Sequence, residues 1–317
     1  MAAPEISIVL PAHNEAGNIS AIAAAIAQAM ALAGAYEIVF VDDGSRDGTL
    51  AAIRDAARDP AIRYLSFTRN FGHQAALRAG LRHARGRAVI VMDADFEHPP
   101  ELIPKLIAAW RAGARIVATQ RSDDAGVSSA KRLTSRLYYR VLDAIGDVRI
   151  EPGSADYMLL DRAVVDIVNR MEDQDIFLRG LVRWLGFPLT TIPYTRGARQ
   201  SGASKFSAAR MVELALSGIA AHSLRPLRFA IWLALGFALL SLLFIVYAIV
   251  SFLFVQHTVA GWSSLIAVIA ILGAAQLLVL GIVGEYVGRI LRETMRRPSY
   301  VVAETESTPG KSAAPTT

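Results

Sequence analysis

The chain has 317 residues, room for about two domains of ~150 residues or for one domain plus a membrane part. Hydrophobic residues make up 53% and charged residues 19%, with a mean hydropathy of +0.37, which excludes a disordered or collagen-like chain. Cysteine is absent, which excludes disulfides and thiolate metal sites.

In chain order, Ile6–Leu10, Glu37–Val41, Ile62–Phe67, Ala88–Met92 and Arg115–Thr119 are short β-branched runs that predict buried strands. Between them, Glu15–Leu32, Asp47–Arg58, His73–Arg85 and Glu101–Arg111 carry helical periodicity. This alternation predicts an α/β domain with a mainly parallel sheet, helices on both faces, and ligands beyond the carboxyl ends of the strands. A basic helix (Lys131–Arg140), a strand (Ala155–Leu160), a helical pair around Phe177–Leu185 and an extended piece (Thr190–Tyr194) follow. Met1–Glu5 has no basic character and Ile6–Leu10 is too short for a signal peptide, so this domain is expected on the cytoplasmic side.

The later chain changes character. From Phe229 to Val255, and again from Val259 to Gly284, there is no Asp, Glu, Lys or Arg. At about 1.5 Å rise per residue, either run crosses a hydrocarbon core of about 30 Å. Arg225 and Arg228 precede the first run, Arg289, Arg292, Arg296 and Arg297 follow the second, and Gln256-His-Thr258 joins them without fixed charge. The positive-inside rule then sets both flanks in the cytoplasm, and these arginines account for most of the net charge of +5 without a nucleic-acid partner. The expected organisation is a catalytic domain (1–206), an amphipathic interfacial helix (207–224), two transmembrane helices (about 229–255 and 259–284) within 225–300, and a disordered Pro/Ser/Thr-rich tail (301–317). Small residues in the second span, such as Gly273, Ala274 and Gly281, permit close helix approach and suggest a homo-oligomer.

Polar clusters fall at the predicted strand ends. Asp93, Asp95 and Glu97 recur at period two after an apolar strand, so in an extended segment all three face one side. Hard carboxylate oxygens in that pattern suit Mg²⁺ or Mn²⁺, although acids before a helix also serve as N-caps. A second acidic pair, Asp42 and Asp43, ends the second strand. No Gly-x-Gly-x-x-Gly follows a strand, which removes the main support for a dinucleotide-dependent dehydrogenase. Gly197–Ser204 resembles a Walker A loop but has Ala203 at the lysine position, and no nucleophile elbow appears.

Pro11-Ala-His-Asn-Glu15, Val41-Asp-Asp-Gly-Ser45 with Asp47-Gly-Thr49, and Asp93-Ala-Asp95 together resemble family 2 glycosyltransferases of the GT-A fold. Four further stretches resemble the polyprenyl-phosphate branch, the dolichyl-phosphate mannose synthases and bactoprenol glucosyltransferases. They are Arg69–Gly80, His98–Pro104, Arg199-x-x-Gly-x-Ser-Lys205-Phe206 and Gly284–Ile290 with Arg297-Pro298. The resemblance implies a Rossmann-like GT-A domain with a C-terminal two-helix hairpin in the bacterial inner membrane. It implies transfer of one sugar from a UDP- or GDP-linked donor to a polyprenyl phosphate, with Mg²⁺ or Mn²⁺.

By position, the resemblance assigns Pro11, Glu15, Asp42 and Asp43 to the nucleoside pocket, and Asp93 and Asp95 to the metal, to which Glu97, continuing the period of two, is a candidate third ligand. It assigns Arg121 to the donor diphosphate, Asp156 to the acceptor side as an orienting or assisting group, and Arg132 or Arg136 to a membrane-facing phosphate contact. Arg199, Ser204 and Lys205 fall to the lipid phosphate. The sequence departs from the pattern at His13, Glu97 and Met158. A processive polysaccharide synthase is a second reading, but Gly180-Leu-Val-Arg-Trp184 lacks the glutamine of its motif. A non-catalytic membrane scaffold is a third, against which the intact Asp93, Asp95, Arg199 and Lys205 count.

Overall fold

In the computed structural model the described residues are 4–121, 154–171, 177–195 and 261–306, with scattered residues between 230 and 250. Eight strands form one sheet in the order β7-β5-β6-β4-β1-β2-β3-β8. They are β1 (Ile6–Ala12), β2 (Tyr36–Asp42), β3 (Ile62–Phe67), β4 (Ala88–Val91), β5 (Ile116–Arg121), β6 (Ser154–Asp161), β7 (Leu189–Tyr194) and β8 (Val302–Thr305). The sheet is mixed but mostly parallel. β1 pairs in parallel with β2 and β4, β2 with β3, and β5 with β7, whereas β6 runs antiparallel to both β4 and β5.

Helices cover both faces, as the strand–helix alternation predicts. α1 (Ile19–Met30), α2 (Thr49–Ala56) and α4 (Ile103–Arg111) lie on one face, and α3 (His73–His83), α5 (Arg162–Arg170) and α6 (Leu178–Trp184) on the other. The period-two geometry of β1 divides its side chains between two cores. Ile6, Ile8 and Leu10 pack with Ile22, Ile26 and Leu106, and Val9 packs with Leu77, Val164 and Val182. Strands buried on both faces read as continuous apolar runs, which is why they were legible.

Two expectations change. Residues 301–306 were expected in a disordered tail, yet Val302–Thr305 is strand β8, antiparallel to the edge strand β3. Glu304 is buried there and accepts both fork hydrogens of Arg54 at 2.8 and 2.6 Å, and Glu306 accepts from Arg63 at 2.8 Å. Two acids inside a Ser/Thr-rich stretch look solvated in sequence, and only arginines from distant elements make them anchors. The second apolar run lies in α7 (Trp262–Thr294), which continues beyond Gly284.

α7 belongs to a second compact unit, spanning 207–296 together with 141–147. Its 33 residues rise about 50 Å. Its apolar stretch Ile271–Gly288 is only 6% buried, and Leu277 and Leu280 are exposed at 70% and 65%. Apolar exposure on that scale calls for an apolar surrounding. Among the described residues α7 is the one helix long and apolar enough to cross a membrane. Described residues between 230 and 250 are helical, so a two-span hairpin has one described candidate span. The interfacial helix expected at 207–224 lies outside the described residues.

Candidate active site

The loops leaving β1 and β2 are woven together at the carboxyl edge of the sheet. Asn14, at φ 58°, donates its amide to Ser45 Oγ (3.0 Å), and its side-chain oxygen accepts from Arg46 N–H (3.0 Å). Thr49 Oγ1 accepts from Glu15 N–H (2.8 Å) and donates to Asp47 Oδ1 (2.5 Å). These contacts hold residues 15–18 in a loop, so α1 starts at Ile19 and not at Glu15 as periodicity predicts. Pro11 is tolerated in a central strand because β4 pairs with β1 only as far as Val9.

Asp42 and Asp43 are buried and bind backbone. Asp42 accepts from Ser45 N–H (3.1 Å) and Ser66 O–H (2.7 Å). Asp43 accepts Phe71 N–H (2.7 Å) on one oxygen and Gly72 N–H (3.0 Å) on the other, and its carbonyl pairs with His13 Nδ1 (2.8 Å). Gly44 between them and the loop has φ +60°, and a Cβ there would stand 2.3 Å from the carbonyl carbon of Arg69. Gly44→Ala is therefore expected to destabilise the domain by ~2 kcal/mol or more, from left-handed strain plus backbone overlap. Thermal unfolding of Gly44→Ala beside Gly48→Ala, at a site with ordinary contacts and φ −76°, checks this.

The acidic run after β4 is a turn. β4 stops at Val91, and Phe96 has φ 64°, so Asp93, Asp95 and Glu97 do not share one side of a strand. Glu97 N–H donates to Asp95 Oδ1 (3.0 Å), and Asp93 N–H donates to His98 Nδ1 (2.9 Å). Among the described residues no group of three or more His, Asp or Glu side chains is arranged to hold an ion. Glu97 is therefore not held in line with Asp93 and Asp95 as an extended segment would hold it. Asp93 and Asp95 do fit a hard divalent cation. Both are partly open to solvent, both offer carboxylate oxygen, and Mg²⁺ or Mn²⁺ commonly takes one or two carboxylates plus substrate phosphates. His98 is buried and stacks on Tyr157 at 5.0 Å. Burial pulls its pKa down against the charges of Asp93 and Asp95, so it stays neutral and its Nδ1 accepts.

Asp156 sits on β6, 5% exposed, facing the same edge. Arg179 on α6 donates to both of its oxygens, Nε at 2.5 Å and Nη2 at 2.8 Å, and Gln74 Nε2 adds a third contact at 3.4 Å. His73 Nε2 lies 3.6 Å from both Asp156 and Asp93. Burial works against the Asp156 carboxylate, but hydrogen bonds from His73 and Arg179 and their charges outweigh it and hold its pKa well below the carboxylate range. For His73, burial is likewise outweighed by Asp156 and Asp93, and the pKa moves up. Asp156 is thus held anionic, with little basicity.

Arg121 ends β5, exposed, in register with Tyr194 of β7. Burial raises the Tyr194 pKa, with smaller opposing effects from the charges of Arg121 and Arg179 and of Asp93 and Asp95. His98 lies against the same tyrosine, ring centroids 6.2 Å apart. Arg179, the cation most firmly tied to this edge, was missed in the sequence; its signal was the Phe177-Leu-Arg-Gly180 run beside a strand carrying a buried acid. Arg132, Arg136, Arg199, Ser204 and Lys205 lie outside the described residues.

An acid pair beside two arginines at the carboxyl edge of such a sheet suits binding of a diphosphate with a metal. Residues 7–167 match the family model for glycosyl transferase family 2. A glycosyltransferase of Bacillus subtilis (strain 168), YkcC, is 36% identical over 94% of this chain and 93% of its own length. The bactoprenol glucosyl transferase of Shigella phage SfV is 38% identical over 94% of this chain and 98% of its own. The chain belongs to glycosyl transferase family 2. A solved mannosyltransferase of Pyrobaculum calidifontis, in complex with GDP-Man and Mn²⁺, has the same fold as this glycosyltransferase. It superposes with a TM-score of 0.50 over 88% of this chain and 87% of its own, at 19% identity.

Proposed function

We propose that this glycosyltransferase moves one sugar, with inversion, from a UDP- or GDP-linked donor to a polyprenyl phosphate at the cytoplasmic face of a bacterial inner membrane. The observation that carries the reading is the charged cluster at the carboxyl edge of the sheet, where His73 Nε2 lies 3.6 Å from both Asp93 and Asp156 and Arg179 Nε lies 2.5 Å from Asp156. The apolar helix α7 and full-length relatives named bactoprenol glucosyl transferases support the lipid acceptor.

In the reaction the bond between the sugar C1 and the donor diphosphate breaks, and an oxygen of the acceptor phosphate forms the new bond to C1 from the opposite face. Asp93 and Asp95 would hold the Mg²⁺ or Mn²⁺, which when bound would supply charge neutralisation of the leaving diphosphate. Arg121 adds a fixed positive charge where negative charge develops. The acceptor phosphate, with a second pKa of about 6, is largely dianionic at neutral pH, so no strong base is required. Asp156, held anionic, fixes the Arg179 fork at the reacting edge and orients the acceptor side. Asp42 and Asp43 shape the donor pocket by tying down the loops around it, with Pro11 and Glu15 on its wall. Arg132, Arg136, Arg199, Ser204 and Lys205 grip the lipid phosphate, and Arg is suited to bidentate contacts there. Two spans, an interfacial helix over 207–224 and a homo-oligomer complete the proposal.

The test is a transfer assay with purified full-length protein, polyprenyl phosphate and labelled UDP- and GDP-sugars, with and without chelator. Label moving to the organic phase from one donor, one sugar per lipid, and lost with chelator is the expected result. Longer products indicate a processive synthase. No transfer from any donor by folded protein overturns the proposal in favour of a scaffold.

A further inference from the structure

We propose that Tyr300 is a positioning residue for the nucleotide-sugar pocket, holding the loop Thr68–Gly72 in place from the segment that leaves α7; this deepens the donor-binding reading above and rests on it. The loop is one wall of the candidate site. Its Phe71 and Gly72 amides donate to Asp43, Asn70 Nδ2 approaches His13 Nδ1 at 3.3 Å, and its Arg69 backbone lies over Gly44. None of these contacts fixes the loop's outer side. An aromatic chain does. Tyr300, 9% exposed, stacks on Phe67 with ring centroids 5.0 Å apart and 16° between planes. Phe67 meets Phe71 edge-on at 5.7 Å, and Arg69 covers Phe71 at 4.0 Å. Thr68 N–H, at the start of the loop, donates to Val301 C=O at 3.0 Å.

The register of β8 against β3 shifts between Ser66 and Phe67, where the strand hands over to the loop. A shift of that kind re-aims the chain, and here it turns Tyr300 onto the Phe67 ring. β8 has its own anchors farther along, Glu304 on Arg54 and Tyr64 and Glu306 on Arg63, so it stays docked without the Tyr300 ring. Loss of the Tyr300 ring therefore leaves β8 paired, at the cost of one ring in the core it helps to line.

Tyr300→Leu keeps apolar volume and loses the stack, and Tyr300→Phe keeps both. In full-length protein, Tyr300→Leu is expected to weaken binding of UDP-glucose or GDP-mannose with Mn²⁺ by about tenfold, because a loop no longer preorganised must be ordered on binding. Turnover at saturating donor should change little, so KM rises while kcat holds, and Tyr300→Phe should match the wild type. The Phe71 and Gly72 amides should also exchange with solvent about tenfold faster in Tyr300→Leu, more than the amides of β1 and β2, with the unfolding midpoint lowered by a few degrees at most. Wild-type affinity and exchange in Tyr300→Leu overturn the proposal. If the wild type binds neither nucleotide sugar, the donor reading fails, and the amide exchange alone still decides whether Tyr300 holds the loop.

Discussion

Replacing Asp95 by asparagine is expected to lower sugar transfer by about 10²–10³-fold, the usual cost of removing one preorganised charge-stabilising group. The unfolding midpoint should stay close to that of the wild type. Asp95 is partly open to solvent, and the bond its side chain accepts, from Glu97 N–H at 3.0 Å, can be accepted equally by an amide oxygen. What the amide cannot do is supply a full negative charge to a cation, so the defect should ease as Mn²⁺ is raised. Asp43→Asn is the informative contrast. Asp43 is 3% exposed, with one oxygen on each of two backbone N–H groups, so an amide there must turn a donor toward a donor. That variant should lose stability and activity together. Titrating Mn²⁺ against transfer rate and recording thermal unfolding for both variants separates the two kinds of carboxylate. Full activity in Asp95→Asn would remove the metal-holding role.

That contrast also marks how far the sequence could be read. The strands, the two-faced helical cover and the polar edge were legible because β1, β2 and β4 are buried on both sides and their apolar runs are short and bounded. The family motifs marked Asp42, Asp43, Asp93 and Asp95 equally, since a string of letters does not say which carboxylate faces a ligand and which clamps a loop. Burial and donor geometry make that distinction. The placing of Glu97 in line with Asp93 and Asp95 was not legible, because period two holds only while the chain stays extended, and Phe96 turns it. Arg179 and the β8 anchors were missed for a common reason. Each is defined by partners far along the chain, Arg179 by Asp156 and Glu304 by Arg54, and no local pattern encodes such a pair.

Arg179→Ala is expected to destabilise the catalytic domain by about 3 kcal/mol at neutral pH, the low end for breaking a buried pair, because a third of Arg179 is open to water. The cost arises mainly at Asp156, which is left charged and buried with His73 and Gln74 as partners. Its pH dependence identifies the cause. In the wild type the folded pKa of Asp156 lies below its unfolded value, so the stabilisation is fully present above the unfolded pKa of about 3.9 and is lost as pH falls toward the folded value. In Arg179→Ala burial is opposed by His73 without Arg179, and the folded carboxyl is expected to titrate above its wild-type value, so the folded variant takes up a proton at higher pH than the folded wild type. Acidification then costs the variant less than the wild type, and the stability gap should narrow between pH 7 and about pH 4.5. Denaturant unfolding of the two proteins at both values measures it. A gap of the same size at both would mean that lost packing of the Arg179 side chain, and not the stranded carboxylate, sets the cost. Asp156 would then owe its low basicity to its other neighbours, and the fork would have to be sought as a direct contact to substrate.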